Sequence, residues 1–253
     1  MKKIYLIGEN IKQSLSPKIH QYIYEQMKLD ADYDIYDIAD KSQINKIMDK
    51  VLNNDIYGLN ITTPYKSYVF DKVKLMSKKA QKIGSINCID TNLKGYNTDC
   101  YGFMKMISRN NINLANKNIH ILGSGGASKA ILYALNVIGY NSIRSYNRQN
   151  INQIIDLDLN NNDIVINCTP EHFINDSKDF FNMFIMKKFT WIDLLYTKLS
   201  TNNYNIIQEN HSKLYLNGID MLIYQAMASI NIWFRKDIEK NVDFNNLKLS
   251  IKR

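Results

Sequence analysis

Among its 253 residues the chain has only three cysteines, three prolines and ten glycines. Cys88, Cys100 and Cys168 form an odd, widely spaced set with no C-x-x-C pair. That excludes a disulfide framework and a cysteine-built zinc site, and it fits a reducing, cytoplasmic compartment. Four histidines without an H-E-x-x-H pattern supply no metal motif. No run of about 18 apolar residues occurs, so no membrane span is expected. Met1-Lys2-Lys3 and the apolar residues 4–8 look like the start of an export signal. Glu9-Asn10 ends that run early and no small-residue cleavage site follows, so a first β-strand is the simpler reading. Dense Lys/Arg blocks interleaved with aromatics are also missing, which argues against a nucleic-acid partner. The net charge of +8 fits either an anionic ligand or drift in a chain rich in Lys, Asn, Ile and Tyr.

What is present is a chain of 45% hydrophobic residues, enough for one large domain or two small ones. The first part alternates strands with helices. Residues 4–8 read as a strand, and Ser16-Pro17 opens a helix to about Leu29, with Ser16 as N-cap and proline at the first helical position. Residues 33–38 alternate like a strand, and 42–52 carry helical spacing at Ile44, Ile47, Met48 and Val51. Residues 58–62 are a strand ending at Thr63-Pro64, which reads as another cap pair opening a helix. Residues 84–91 hold one more strand, and Asn97-Thr98-Asp99 leads into a helix near 101–108. A second series follows: strands at 119–122, 142–146, 163–168, 191–195 and 213–216, a helix at 129–138 closed by Gly139, and an amphipathic helix at 221–234. Such alternation predicts an α/β protein with parallel sheets in two units.

The most informative segment runs from Ile119 through Gly123, Ser124, Gly125, Gly126 and Ala127 to Ser128. It is a strand, a glycine turn and a helix start, in that order. Gly123 suits a tight turn, while Gly125 and Gly126 leave backbone N–H groups open to a pyrophosphate at a helix N-terminus. The third position of a G-x-G-x-x-G fingerprint is occupied by Ser128. About twenty residues on, Asn147-Arg148 stands where an acidic residue would bind the ribose of NAD. Arg148 suits a 2′-phosphate, and it equally suits a plain surface position.

Lys66, two residues after Pro64, falls in the first turn of the helix expected there. A cation in that place opposes the helix dipole, which eases loss of its proton. The same residue reads equally well as a surface lysine. Asp99 by itself is most simply a helix N-cap. Ser14 and Ser16 are small neutral donors ahead of a helix and suit a carboxylate ligand, although Ser16 alone reads as a cap.

Taken together these segments resemble the shikimate dehydrogenase family along nearly the whole chain. Ser14-Leu15-Ser16-Pro17-Lys18-Ile19-His20 matches an S-x-S-P-x-x-H opening, and Asn60-Ile61-Thr62-Thr63-Pro64-Tyr65-Lys66 an N-x-T-x-P-x-K motif. Gly84-Ser85-Ile86-Asn87 is similar to G-A-x-N, and residues 95–102 match G-x-N-T-D-x-x-G. The loop Gly123–Ala127 resembles G-x-G-G-A, and Asn147-Arg148 an N-R pair. Residues 217–225, from Asn217 to Gln225, resemble the closing G-x-x-M-L-x-x-Q.

The resemblance implies a substrate domain of residues 1–100 with 219–253, a Rossmann-like NADP-binding domain of residues 101–218, and a cleft between them. It implies reduction of 3-dehydroshikimate to shikimate with NADP (NADPH), Lys66 being the acid/base lysine and Asp99 its partner. Ser14, Ser16, Thr62, Asn87, Tyr196 and Gln225 would line the substrate site. Gly123, Ser124, Gly125, Gly126 and Ala127 would hold the pyrophosphate, Asn147 and Arg148 the ribose phosphate, and Leu194 and Gly218 would lie near the nicotinamide. The expected partner is this small molecule, with no nucleic acid, membrane or metal, in a monomer or homodimer. Departures from the family pattern fall at Thr169-Pro170-Glu171-His172, at Thr197-Lys198 and at Gln149-Asn150. An NAD-dependent quinate/shikimate enzyme and a non-catalytic relative are the alternatives. The missing acid near residue 147 speaks against the first, and the presence of Lys66 and Asp99 against the second.

Overall fold

The computed structural model describes residues 1–154, 156–170, 189–196 and 214–251. Glu171, His172, Thr197, Lys198 and Lys213 lie outside the described residues. The chain divides into two compact units, Met1–Lys105 with Leu222–Arg253, and Met106–Met221.

The first unit is built on a six-stranded sheet. Its strands are β1 (Lys2–Gly8), β2 (Ala31–Asp37), β3 (Gly58–Ile61), β4 (Leu75–Met76), β5 (Cys88–Ile89) and β6 (Lys94–Tyr96), in the order β2-β1-β3-β5-β6-β4. Strand β1 pairs in parallel with both β2 and β3, placing Ile7 beside Tyr36 and Ile61. Helix α1 (Ser16–Met27) connects β1 to β2, and α2 (Gln43–Leu52) returns the chain to the other side of β1. The order therefore reverses between β1 and β3, and loops leaving their carboxyl ends face a switch-point crevice. The apolar stripe of α2, Ile44, Ile47, Met48 and Val51, packs with Ile7, Leu59, Ile61 and Ile89 into one core. A stripe at i, i+3, i+4 and i+7 covers one face of a helix, so these four positions meet the sheet together.

Parallel pairing does not extend through this sheet. β5 runs antiparallel to β3 and to β6, with Asn60 opposite Cys88 and Cys88 opposite Tyr96. The strand expected over 84–91 is only two residues long, because Gly84 caps α3 (Lys78–Ile83) at φ 69° and Asp90 closes a tight turn through Leu93. β4, β6 and α3 have too few residues to show a period.

The helix expected at Pro64 is absent. Residues 63–67 form turns that lead into a 3-10 turn at Tyr68–Asp71. Tyr65 is buried and donates to the carbonyl of Ile38 at 2.8 Å. The carbonyl of Lys66, which a helix would commit to residue 70, accepts instead from Ile86 N at 3.2 Å. Tertiary partners thus outcompete the local cap signal.

The second unit carries a five-stranded sheet in the order β11-β10-β9-β7-β8: β7 (Asn118–Leu122), β8 (Ser142–Tyr146), β9 (Asp163–Asn167), β10 (Thr190–Asp193) and β11 (Leu214–Asn217). Every pairing is parallel. Its strands β7 and β9 are almost wholly buried, as parallel strands covered on both faces must be. Helix α4 (Asp99–Arg109) precedes this series and α5 (Gly126–Ile138) links β7 to β8. Helix α6 (Ile219–Phe234) follows β11, and two short helices, α7 (Ile238–Asn241) and α8 (Phe244–Ser250), end the described chain. Because β8 and β9 flank β7 on opposite sides, this sheet has its switch point between β7 and β9. Among the described residues no helix is long and apolar enough to cross a membrane.

Candidate active site

Strand direction in the first unit collects the polar candidates at one edge. β1 and β3 end there, so Ser14, Ser16 and Thr62 follow their carboxyl ends. β5 starts at that edge, because Ile61 N donates to Asn87 O at 2.9 Å. β6 ends there, which delivers Asn97, Thr98 and Asp99.

Lys66 Nζ lies 2.5 Å from Asp99 Oδ2, with the two side chains 14% and 7% exposed. Removing two charges from water is costly, and their pairing offsets this only where the remaining lone pairs are also satisfied. Here Asn87 Nδ2 donates to the other oxygen, Asp99 Oδ1, at 2.8 Å. Asp99 is free for this because it is not the cap of α4. Asn97 takes that role, its Oδ1 accepting from Cys100 N at 3.1 Å. Asn97 is itself anchored by donating to Ser85 O at 3.0 Å.

Asn87 sits between several partners. Its Oδ1 accepts from Thr98 N at 2.7 Å, and its Nδ2 donates to Thr98 Oγ1 at 2.9 Å as well as to Asp99. Gln225 Oε1 is 3.4 Å from the same nitrogen, and Gln225 Nε2 donates to Leu222 O at 2.9 Å. Lys66, Asp99, Asn87 and Gln225 are therefore one bonded group. Thr62 shares their edge of the sheet, held by its N–H on Ile7 O at 2.8 Å. Ser16 is not the cap of α1. Leu15 occupies the cap position, and Ser14 Oγ accepts from Ser16 N at 3.2 Å. The helix starts one residue earlier than Ser16 as a cap would require, so the serine before it takes over the capping.

Sequence reasoning missed Ser229, a buried hydroxyl bonded into the same group. Its signal is faint: a single serine one turn beyond Gln225 on an otherwise apolar helix face.

The second unit holds the remaining candidates. Gly123 follows β7 at φ 108°, and a Cβ there would stand 3.1 Å from the carbonyl of Cys168. That is left-handed backbone against a neighbouring loop, which only glycine accepts readily. Gly125, the N-cap of α5, differs, since a Cβ on it would meet nothing within 4 Å. Ser124 and Gly125 are exposed, and Gly126 and Ala127 start the helix. Ser128, at the third fingerprint position, is buried. Asn147 and Arg148 are exposed at the end of β8, in a loop closed by Asn147 N donating to Asn150 Oδ1 at 2.7 Å. Gly218 and Leu194 are in direct contact, a Cβ on Gly218 falling 2.1 Å from Leu194 O. Tyr196 follows β10 in this unit, half-buried.

A doubly wound parallel sheet with a glycine turn at its switch point, in one chain with a lysine–aspartate pair at a second sheet edge, defines a two-unit α/β protein of the Rossmann-like class. The profile of the shikimate dehydrogenase substrate binding domain matches residues 6–89. A shikimate dehydrogenase (NADP(+)) of Clostridium beijerinckii is 33% identical over 245 residues, 90% of each chain. The crystal structure of shikimate dehydrogenase 1 from Peptoclostridium difficile is 28% identical, with a TM-score of 0.83 over 100% of this chain and 97% of that one. A shikimate dehydrogenase solved in complex with NADP+ is 26% identical, with a TM-score of 0.83 over 100% and 95%. The chain belongs to the shikimate dehydrogenase family.

Proposed function

We propose that this chain catalyses the reversible, NADP-dependent reduction of 3-dehydroshikimate to shikimate, a step toward chorismate and the aromatic amino acids. The observation that carries the reading is the largely buried Lys66–Asp99 pair, steadied by Asn87 and set in motifs of the family. Residues 1–100 with 219–253 are assigned to substrate, and residues 101–218 to NADP. The sparse, widely spaced cysteines, with Cys88 and Cys100 buried, support a reducing, cytoplasmic setting.

The residues of the second unit fit a dinucleotide. Open space over Gly125 lets a pyrophosphate approach the first N–H groups of α5, where the helix dipole favours an anion. Gly126 and Ala127 contribute those N–H groups, Ser124 borders them, and exposed Arg148 beside Asn147 suits a 2′-phosphate. The close contact of Gly218 with Leu194 supports a compact wall for the nicotinamide. When bound, NADPH supplies the hydride that a ketone accepts at carbon.

Hydride arrival leaves negative charge on the carbonyl oxygen, and a positioned proton donor speeds that step by a factor of about 10² to 10⁴. In this reading Lys66 Nζ gives its proton to that oxygen, and takes it back in the reverse direction. Asp99 holds the ammonium in place through Oδ2. Ser14 and Ser16 serve the substrate carboxylate, and Thr62, Asn87, Gln225 and Tyr196 serve its hydroxyl groups. Purified protein given shikimate and NADP+ is expected to show rising absorbance of reduced nicotinamide. No turnover with NADP+ or NAD+, on shikimate or quinate, overturns the assignment.

A further inference from the structure

Behind the Lys66–Asp99 pair the polar side chains continue inward as a single directed line. Ser229, fully buried on α6, donates its one hydroxyl hydrogen to Gln225 O at 2.9 Å. Its oxygen is then left to accept, from Asn60 Nδ2 at 3.0 Å and from Thr98 Oγ1 at 3.2 Å. Thr98 Oγ1, having given its hydrogen to Ser229, accepts from Asn87 Nδ2. The backbone N–H of Thr98 holds Asn87 Oδ1, which fixes the amide so that its nitrogen faces Asp99. Asn60 is fixed in the same way: the Tyr33 hydroxyl donates to its Oδ1 at 2.9 Å, and its Nδ2 also donates to Asn87 O at 3.0 Å.

We propose that Ser229 is a positioning residue for the Lys66–Asp99 pair, acting through Thr98 and Asn87, with Asn60 as its second buried donor. The proposal rests on the dehydrogenase reading above. Ser229 is the acceptor on which two donors end. Without it the Thr98 hydroxyl has Gln225 Oε1, 3.5 Å away, as its remaining acceptor, and the Asn60 amide keeps a buried N–H with no acceptor at that position. Both changes draw on the groups that hold Asn87 against Asp99. Buried networks of this kind act as units, and double-mutant cycles separate them from independent packing effects.

The test uses Ser229→Ala, Thr98→Val and the double variant, assayed with shikimate and NADP+ below their melting temperatures. Each single variant is expected to lower kcat about tenfold, the effect of roughly one lost hydrogen bond, with the KM for NADP+ within about twofold of wild type. The double variant is expected to lose no more than either single one, because one line is broken in both cases. A kcat for Ser229→Ala within twofold of wild type overturns the proposal, and so does a double variant whose loss is the product of the single losses. Should Ser229→Ala fail to fold, Ser229→Cys takes its place in the cycle, with a smaller kcat loss expected and wild-type kcat overturning. Wild-type protein that turns over neither shikimate nor quinate sinks the dehydrogenase reading itself, before any variant is compared.

Discussion

At Lys66 a single side chain carries most of the proposed chemistry. Its ammonium touches Asp99, which in turn is held by Asn87, so the charge is fixed before any ligand arrives. Truncation removes the proton donor and leaves a buried carboxylate with Asn87. Lys66→Ala is expected to reduce kcat by about 10² or more while changing the KM for shikimate only a few-fold. Steady-state kinetics decides this, and a variant altered only in KM refutes the acid/base role. Asp99→Asn keeps the shape and an oxygen for Asn87 but removes the charge that faces Lys66. Its kcat is expected to fall by a similar factor, with the protein still folded by circular dichroism. The helix dipole expected to act on Lys66 plays no part, since no helix begins at Pro64. What faces Lys66 instead is a carboxylate 33 residues away in sequence, which holds the ammonium in place and which no local pattern reveals.

At the scale of elements, three glycines that look alike in sequence do different work. Gly123 has positive φ against the Cys168 carbonyl, and Gly218 lies against the backbone of Leu194. Gly125 faces open space. Gly218→Ala and Gly123→Ala are therefore expected to lower stability, by roughly 1–3 kcal/mol each, through backbone crowding or strain. Gly125→Ala is expected to leave the melting temperature nearly unchanged and to weaken NADP+ binding about tenfold or more, measured by calorimetry. Unchanged affinity in Gly125→Ala sinks the phosphate role of the loop. Long elements with a strong period, such as α2, β7, α5 and α6, were legible in the sequence because burial on one face writes itself into residue spacing. β4, β5, β6 and α3 were not. They hold two, two, three and six residues, and their directions are set by pairing partners such as Asn60 with Cys88. Capping was misread twice for one reason, since serine or aspartate next to a helix signals a cap without saying which neighbour makes the bond. Ser14 and Asn97 make it, which leaves Asp99 to Lys66. Of the candidate site, the motif residues were visible, whereas Ser229 was hidden as one polar residue in an apolar stripe.

For the molecule as a whole, the interior of the first unit carries a built-in pH response. His20, the last residue of the opening motif, is fully buried. Its ring stacks on Tyr33 at 3.7 Å, and its Nδ1 is 3.2 Å from the Tyr24 hydroxyl. Burial without a charged partner pushes its pKa down from 6.5 to about 3. The folded chain therefore keeps His20 neutral between those values while the unfolded chain binds a proton there. Stability from this residue is present above about pH 6.5 and is lost as the pH falls toward 3, at about 1.4 kcal/mol per pH unit. The loss belongs to the first unit, because Tyr33 joins His20 to the sheet and, through Asn60, to the network behind Asp99. Amide-exchange protection of residues 16–27 is accordingly expected to fall steeply from pH 6 to pH 4, after correction for intrinsic exchange. In His20→Phe, which keeps a ring against Tyr33 but has no proton to bind, that slope is expected to flatten by about one proton's worth, whatever the absolute stability of the variant. An unchanged slope would show that acid sensitivity arises from the carboxylates alone, with His20 as packing only.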